Sequence, residues 1–249
     1  MAVLIATSTT DFDPTEVAVP WKILRDAGIE VRFATDTGLA GMADGRMLHG
    51  KGFGILKNLL IAEKPARDAY AEMLQDTAFR NPMDYDDIVV EDFEGLLLPG
   101  GHSKGVIPYL ESRVLQGAIV EFFARDLPVG AICHGVVAAC RAIDPATEKS
   151  VLYGRKTTAL LRRQERLAYQ VTRFNLGRYY LTYPETVEDE VTRSLCSPDD
   201  FQQGPLPVLR DDPDNLSRGF TVRDGNYLSA RWPGDVYRFA TEFLSMLKG

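Results

Sequence analysis

Residues 127–140, LPVGAICHGVVAAC, constrain this chain more than any other stretch. Residues 128–132 are a short apolar run suited to a buried strand, and residues 135–140 continue as small and branched side chains suited to a packed helix. Between them the order Ala131-Ile132-Cys133-His134-Gly135 sets a nucleophile between small residues two places away on either side. A sharp strand-to-helix turn needs that pattern, because larger side chains there would collide with the turn. This is the form of a nucleophile elbow. A thiol held in it faces the unpaired N–H groups and positive dipole end of the following helix, which predicts a favoured thiolate and raised reactivity at neutral pH. The same residues also suit a buried structural cysteine, since free Cys is among the most buried residue types. The rest of the chain has to decide between the two.

The elements around the elbow read as an α/β protein. Residues 3–6 form an apolar first strand, residues 16–28 have helical spacing with a Gly stop, and residues 30–34 form a second strand, so the chain opens as a βαβ unit. Pro20 is expected to kink the first helix, because it removes a hydrogen bond. Residues 38–54 are glycine-rich loop and residues 58–75 have helical periodicity. Together they read as an insertion over one end of the sheet. Residues 93–99 form the next buried strand and run into Gly100, Gly101 and His102. Two glycines at a strand's carboxyl end permit a backbone path that presents N–H groups to a ligand, as an oxyanion hole requires, although a plain tight turn has the same composition. In open α/β sheets ligands bind outside the carboxyl ends of the strands, where this loop and Cys133 both fall.

Residues 113–124 are read as a helix, 150–159 as a further strand and 160–176 as a helix. Residues 149–180 carry eight basic side chains and one acid, Glu165, which suits a solvated face or a subunit contact. Pro198, Pro205, Pro207 and Pro213 mark a long irregular connection before strands at 219–222 and 227–230 and a last helix at 235–247.

The net charge of −7 disfavours capture of nucleic acid or an anionic membrane, so neither partner is expected. Three cysteines without paired spacing argue for a reducing compartment, and the N-terminus reads as a first strand and not a signal peptide, so a cytoplasmic protein is expected. His49, His102 and His134 are the only histidines and lack ligand spacing, so no metal site is expected.

The elbow AICHG, the strand and loop LLLPGGH and the segment EVAVP at Glu16 together resemble the ThiJ/PfpI-like superfamily, related to class I glutamine amidotransferases. More narrowly the chain is similar to the branch that holds heat-inducible chaperones and glutathione-independent glyoxalases (glyoxalase III). That branch's features run in order here: Glu16, Pro99 to His102, Cys133 to Gly135, Gly154 to Thr158 with Glu165, Pro184 with Glu188-Asp189-Glu190, and Asp224-Gly225. The resemblance implies one domain over 1–249 with insertions at about 38–86 and 160–215, built on a flavodoxin-like, doubly wound, mostly parallel sheet sandwiched by helices. It also implies Cys133 as nucleophile, Glu16 as a carboxyl group beside it, and His134 with Glu165 as the rest of a triad-like set. Gly100, Gly101 and His102 would bind substrate or its oxyanion. A buried carboxyl near a thiolate should have a raised pKa and can shuttle a proton.

The expected activity is conversion of small reactive carbonyls such as methylglyoxal without a cofactor, or a related deglycase reaction, by a stress-response homodimer. Two alternatives stand beside it: an amidase or peptidase using the same Cys133, and a non-catalytic chaperone or redox sensor. Glutamine amidotransfer is not expected, because it needs a second histidine and none follows His134.

Overall fold

The computed structural model describes residues 2–248. Its main sheet has seven strands: β1 (Ala2–Ala6), β2 (Val31–Thr35), β3 (Met83–Asp84), β4 (Phe93–Leu98), β5 (Val129–Ile132), β6 (Thr221–Asp224) and β7 (Tyr227–Ala230). They lie in the order β6-β7-β5-β4-β1-β2-β3. Every neighbouring pair is parallel except β6 with β7. The sequences of β1 and β5, AVLIA and VGAI, are buried at every position. Continuous apolar runs of this kind belong to strands covered on both faces, whereas a half-exposed strand would alternate.

Seven helices are named here: α1 (Pro14–Asp26), α2 (Lys64–Met73), α3 (Arg113–Ala124), α4 (Gly135–Arg141), α5 (Arg162–Leu176), α6 (Val187–Ser194) and α7 (Val236–Leu247). Helices α2 and α7 both pack on α1, while α3 and α6 pack on α4. The sheet is thus sandwiched in the flavodoxin-like, doubly wound manner. The register pairs Ile5 with Phe33 and Leu97, Leu97 with Gly130, and Ala230 with Ile132, so the strands end at a common level. The segments that follow β1, β4 and β5 therefore converge at that edge. It is also where the winding direction changes, between β1 and β4.

Several elements differ from the sequence expectation for reasons of packing. Helix α1 begins two residues earlier than residue 16 because Asp13 caps it, accepting from the N–H groups of Thr15 and Glu16, with Pro14 in the first turn. It runs through Pro20 without a break. The expected helix over 58–75 is split into Lys57–Leu60 and Lys64–Met73. No strand covers 150–159: Lys149–Ser150 pairs only with Ile143–Asp144, and Thr157 makes a single bridge to Phe201. Strand β7 already has β5 on one side and β6 on the other, so no edge is left there for another strand.

The stretch 38–86 is not wholly a cover over the sheet end. Ala66, Ala69, Tyr70, Met73 and Phe79 join the main core, and Met83–Asp84 extends the sheet as β3. Only the earlier part, led in by Met42–Ala43 pairing with Thr10–Phe12, sits at the carboxyl edge. There Met47 and Phe53 meet Tyr180 in a second, small apolar cluster separate from the main core, with Leu60, Leu176 and Tyr179 packed against it. Two distant stretches of chain thus close together above the sheet. The Tyr179 hydroxyl donates to Asp44 Oδ2 at 2.6 Å, and Arg210 donates to the Leu59 carbonyl oxygen at 3.3 Å. Among the described residues no helix is long and apolar enough to cross a membrane.

Candidate active site

Cys133 follows β5 directly and has φ 58°, a left-handed conformation that a side chain other than glycine adopts only under constraint. Its N–H donates to the Ala230 carbonyl oxygen at 3.1 Å, which fixes the turn to β7. Two residues on, a Cβ at Gly135 would run into the Leu98 carbonyl, so only glycine lets α4 start this close to β4. The elbow is present, and its thiol is almost wholly buried at 3% exposure.

Glu16, in the first turn of α1, is brought to the thiol by the glycine loop. Gly100 is held on both sides: its N–H donates to Glu16 Oε2 at 2.8 Å, and its carbonyl oxygen accepts from the Asp13 N–H at 3.0 Å. A Cβ at Gly100 would lie 2.7 Å from the His134 nitrogen and 2.9 Å from Glu16 Oε2, so the loop needs glycine to approach the elbow. Glu16 Oε1 is buried without a hydrogen-bond partner. Burial first, and the neighbouring Asp13 second, hold the Glu16 carboxyl well above its ordinary range.

The thiolate expected from the elbow alone is not what this environment favours. Burial, and then the Glu16 and Asp13 carboxyls, push the Cys133 thiol up, and the hydrogen bond from the His134 backbone N–H offsets only part of that. The correction has a simple cause. A helix dipole is a weak partial charge, whereas desolvation of a thiolate beside two acids is a large penalty.

His134 lies beside the thiol. Its Nδ1 lies 3.5 Å from Cys133 Sγ and its Nε2 lies 3.1 Å from the Thr182 hydroxyl oxygen. The Thr182 hydrogen is committed to the His102 carbonyl oxygen at 2.6 Å. The Thr182 oxygen must therefore accept from His134 Nε2–H, which leaves Nδ1 with a lone pair directed at the thiol. Burial, with His102 and Arg141 as further causes, lowers the His134 pKa to about 3, so the ring rests neutral.

The structure does not bring Glu165 to His134. Glu165 accepts from the Val187 N–H at 3.1 Å, at the start of α6, and burial raises its pKa to about 7. The place beside the imidazole that the family resemblance gave to Glu165 is filled by Thr182. Of the loop residues, Gly100 has its N–H engaged by Glu16, whereas the Gly101 N–H donates to no protein group among the described residues. The His134 N–H also faces the site, at the thiol. The His102 ring stacks on Tyr180 with centroids 4.5 Å apart and meets Tyr179 edge-on at 4.8 Å. Burial lowers its pKa to about 4.

Sequence reasoning missed Asp13, Thr182 and the Tyr179–Tyr180 wall. Asp13 was open to detection, because Asp-Pro ahead of an apolar periodic run is a helix start. Thr182 lies in irregular chain with no local signal. Among the described residues no group of three or more His, Cys, Asp or Glu is arranged to hold a metal ion. The surface grooves beside Arg238 and Glu242 share no residue with this site.

The family described as ThiJ/PfpI family-like matches residues 7–205, which include Glu16, the glycine loop, Cys133, His134 and Thr182. A deglycase of Thermococcus kodakarensis is 24% identical over 164 residues, 66% of this chain and 68% of that protein. A glutathione-independent glyoxalase of Schizosaccharomyces pombe is 25% identical over 147 residues, 58% of each chain. The matched region thus spans about two thirds or less of these relatives' own length. The crystal structure of glyoxalase III from Candida albicans superposes with a TM-score of 0.68 at 17% identity, covering 99% of this chain and 97% of that one, and shares the fold.

Proposed function

The chain belongs to the ThiJ/PfpI-like family, and from that membership we propose that it is a cysteine-dependent enzyme converting small 2-oxoaldehydes to 2-hydroxy acids, with methylglyoxal to lactate as the reference reaction. The relatives named deglycase and glutathione-independent glyoxalase support a carbonyl substrate. The observation that carries the chemistry is the His134 ring, with Nε2–H bound to Thr182 and Nδ1 facing Cys133 Sγ.

In the proposed sequence His134 Nδ1 takes the thiol proton as Cys133 Sγ bonds to the aldehyde carbon. The new alkoxide, held by the Gly101 and His134 N–H groups, recovers that proton to give a thiohemiacetal. His134 then removes the hydrogen on the former aldehyde carbon while Glu16 protonates the ketone oxygen, giving an enediol. The imidazolium returns its proton to the second carbon and Glu16 regains one from the first hydroxyl, which leaves a thioester of the 2-hydroxy acid. Water, deprotonated by His134, cleaves the thioester and restores the thiol. Each group ends as it began, and water is the only co-reactant.

Lactate formation from methylglyoxal, followed with wild type and Cys133→Ser beside a panel of amides and esters, tests this. Lactate from wild type alone is the expected result. Equal lactate from Cys133→Ser, or turnover of amides and not of methylglyoxal, would overturn it.

A further inference from the structure

Asp13 caps α1 with one oxygen only. Its Oδ1 accepts from the N–H groups of Thr15 at 2.8 Å and Glu16 at 3.2 Å, whereas Oδ2 is buried and accepts from no protein group, in a residue 2% exposed. The His102 Nε2 is likewise buried without a protein partner. A buried polar atom left unpaired is costly, so two on adjoining segments call for a ligand that pairs with both.

Their segments are bonded to each other. The Asp13 N–H binds the carbonyl oxygen of Gly100, two residues before His102, and the Asp13 carboxyl acts electrostatically on the His102 ring, on Glu16 and on the Cys133 thiol. The His102 ring is stacked on Tyr180 and meets Tyr179 edge-on, which holds its orientation in the closed site.

We propose that Asp13 Oδ2 and His102 Nε2 form a hydroxyl-binding subsite beside Cys133, so that the favoured carbonyl substrates carry a hydroxyl one or two carbons from the reacting carbonyl. One hydroxyl meets both needs: it donates to Asp13 Oδ2 and accepts from His102 Nε2–H. A methyl group in its place satisfies neither. The inference rests on Cys133 adding to carbonyls, and it narrows the substrate class from 2-oxoaldehydes in general to hydroxylated ones.

The test reads addition at Cys133 and needs no turnover. Glyceraldehyde and propanal, which have the same carbon skeleton, are each titrated as protectants of Cys133 against iodoacetamide, with the labelled peptide mapped by mass spectrometry. The ratio of their half-protecting concentrations is compared among wild type, Asp13→Asn and His102→Phe. Asn caps a helix as well as Asp does, but its amide nitrogen replaces the free acceptor with a donor. Phe keeps the ring stack and removes the nitrogen. Comparing one aldehyde pair across variants cancels their intrinsic reactivities. The preference for glyceraldehyde should fall by about tenfold in each variant, the equivalent of one lost hydrogen bond. An unchanged ratio in both, with protection intact, overturns the subsite and leaves the glyoxalase reading standing. Failure of wild type to turn over methylglyoxal overturns that reading while the ratio still reports on the subsite. Absence of protection by either aldehyde overturns both.

Discussion

The Thr182 hydroxyl sits between the His134 ring and the His102 carbonyl oxygen, 3.1 Å from the one and 2.6 Å from the other, and has a single hydrogen to give. That arrangement fixes the imidazole tautomer. Thr182→Val keeps the shape of the side chain but lets His134 carry its proton on either nitrogen. Turnover should fall about tenfold, the effect of one net hydrogen bond, and nitrogen NMR should show the Nδ1–H form appearing. An unchanged tautomer with unchanged turnover would mean that some other group orients the ring.

Glu16→Gln separates proton transfer from scaffold. The Gln carbonyl oxygen can still accept from the Gly100 N–H that now binds Oε2, so the melting temperature should move little. Turnover should fall by ~10²- to 10⁴-fold, as is usual for general acid–base groups. A lowered melting temperature with normal turnover would reduce Glu16 to a helix-terminus acid.

The same substitution should act in the opposite direction on the thiol. Because the Glu16 carboxyl, once ionised, is among the causes that raise the Cys133 pKa, replacing it by an amide that cannot ionise should move the pH midpoint of Cys133 alkylation downward, toward the ordinary thiol range. Cys140, pushed up to about 12 mainly by burial, should remain inert in both proteins across neutral pH. Rates of iodoacetamide labelling against pH, resolved by peptide, check this, and coincident Cys133 profiles would refute the coupling.

Glu165 is expected to show in stability and not in turnover. Its folded pKa of about 7 exceeds the ordinary 4.5, so the folded state holds the proton more tightly. The associated stability is complete below about pH 4.5 and is lost as pH rises through about 7, an upper bound on the order of 3 kcal/mol. Glu165→Gln should flatten denaturation midpoints across that window, because the amide oxygen can still accept from Val187 N–H and nothing is left to ionise. A steep fall in turnover with the pH dependence of stability retained would return Glu165 to the site.

What the sequence disclosed follows the range of the interactions concerned. The elbow at Cys133 and the glycines at 100 and 101 are local patterns whose residues specify their own backbone path, and each is found at the end of a strand. The role of Thr182 depends on a contact across 48 residues, and no periodicity or composition rule reaches that far. The absent strand at 150–159 has the same origin: its residues suit a strand, but whether an edge is free depends on β6, some seventy residues on. Helix-end charge, which favours the thiolate, is visible in a sequence, whereas the depth of burial and the arrival of Asp13, which push the thiol up, are not.

The small cluster of Met47, Phe53 and Tyr180 gives the molecule two levels of cohesion. Burying three such side chains is worth on the order of 5 kcal/mol, far less than the sheet and its helices hold. Opening at residues 45–61 and 176–183 is therefore expected to need less free energy than unpairing the main sheet, which would give small molecules a way to the buried thiol. Amide hydrogens in those two segments should exchange together and ahead of β1, β4 and β5. How often Cys133 meets a substrate would then be set by the strength of an aromatic contact, Phe53 stacked on Tyr180, that lies outside the chemistry altogether.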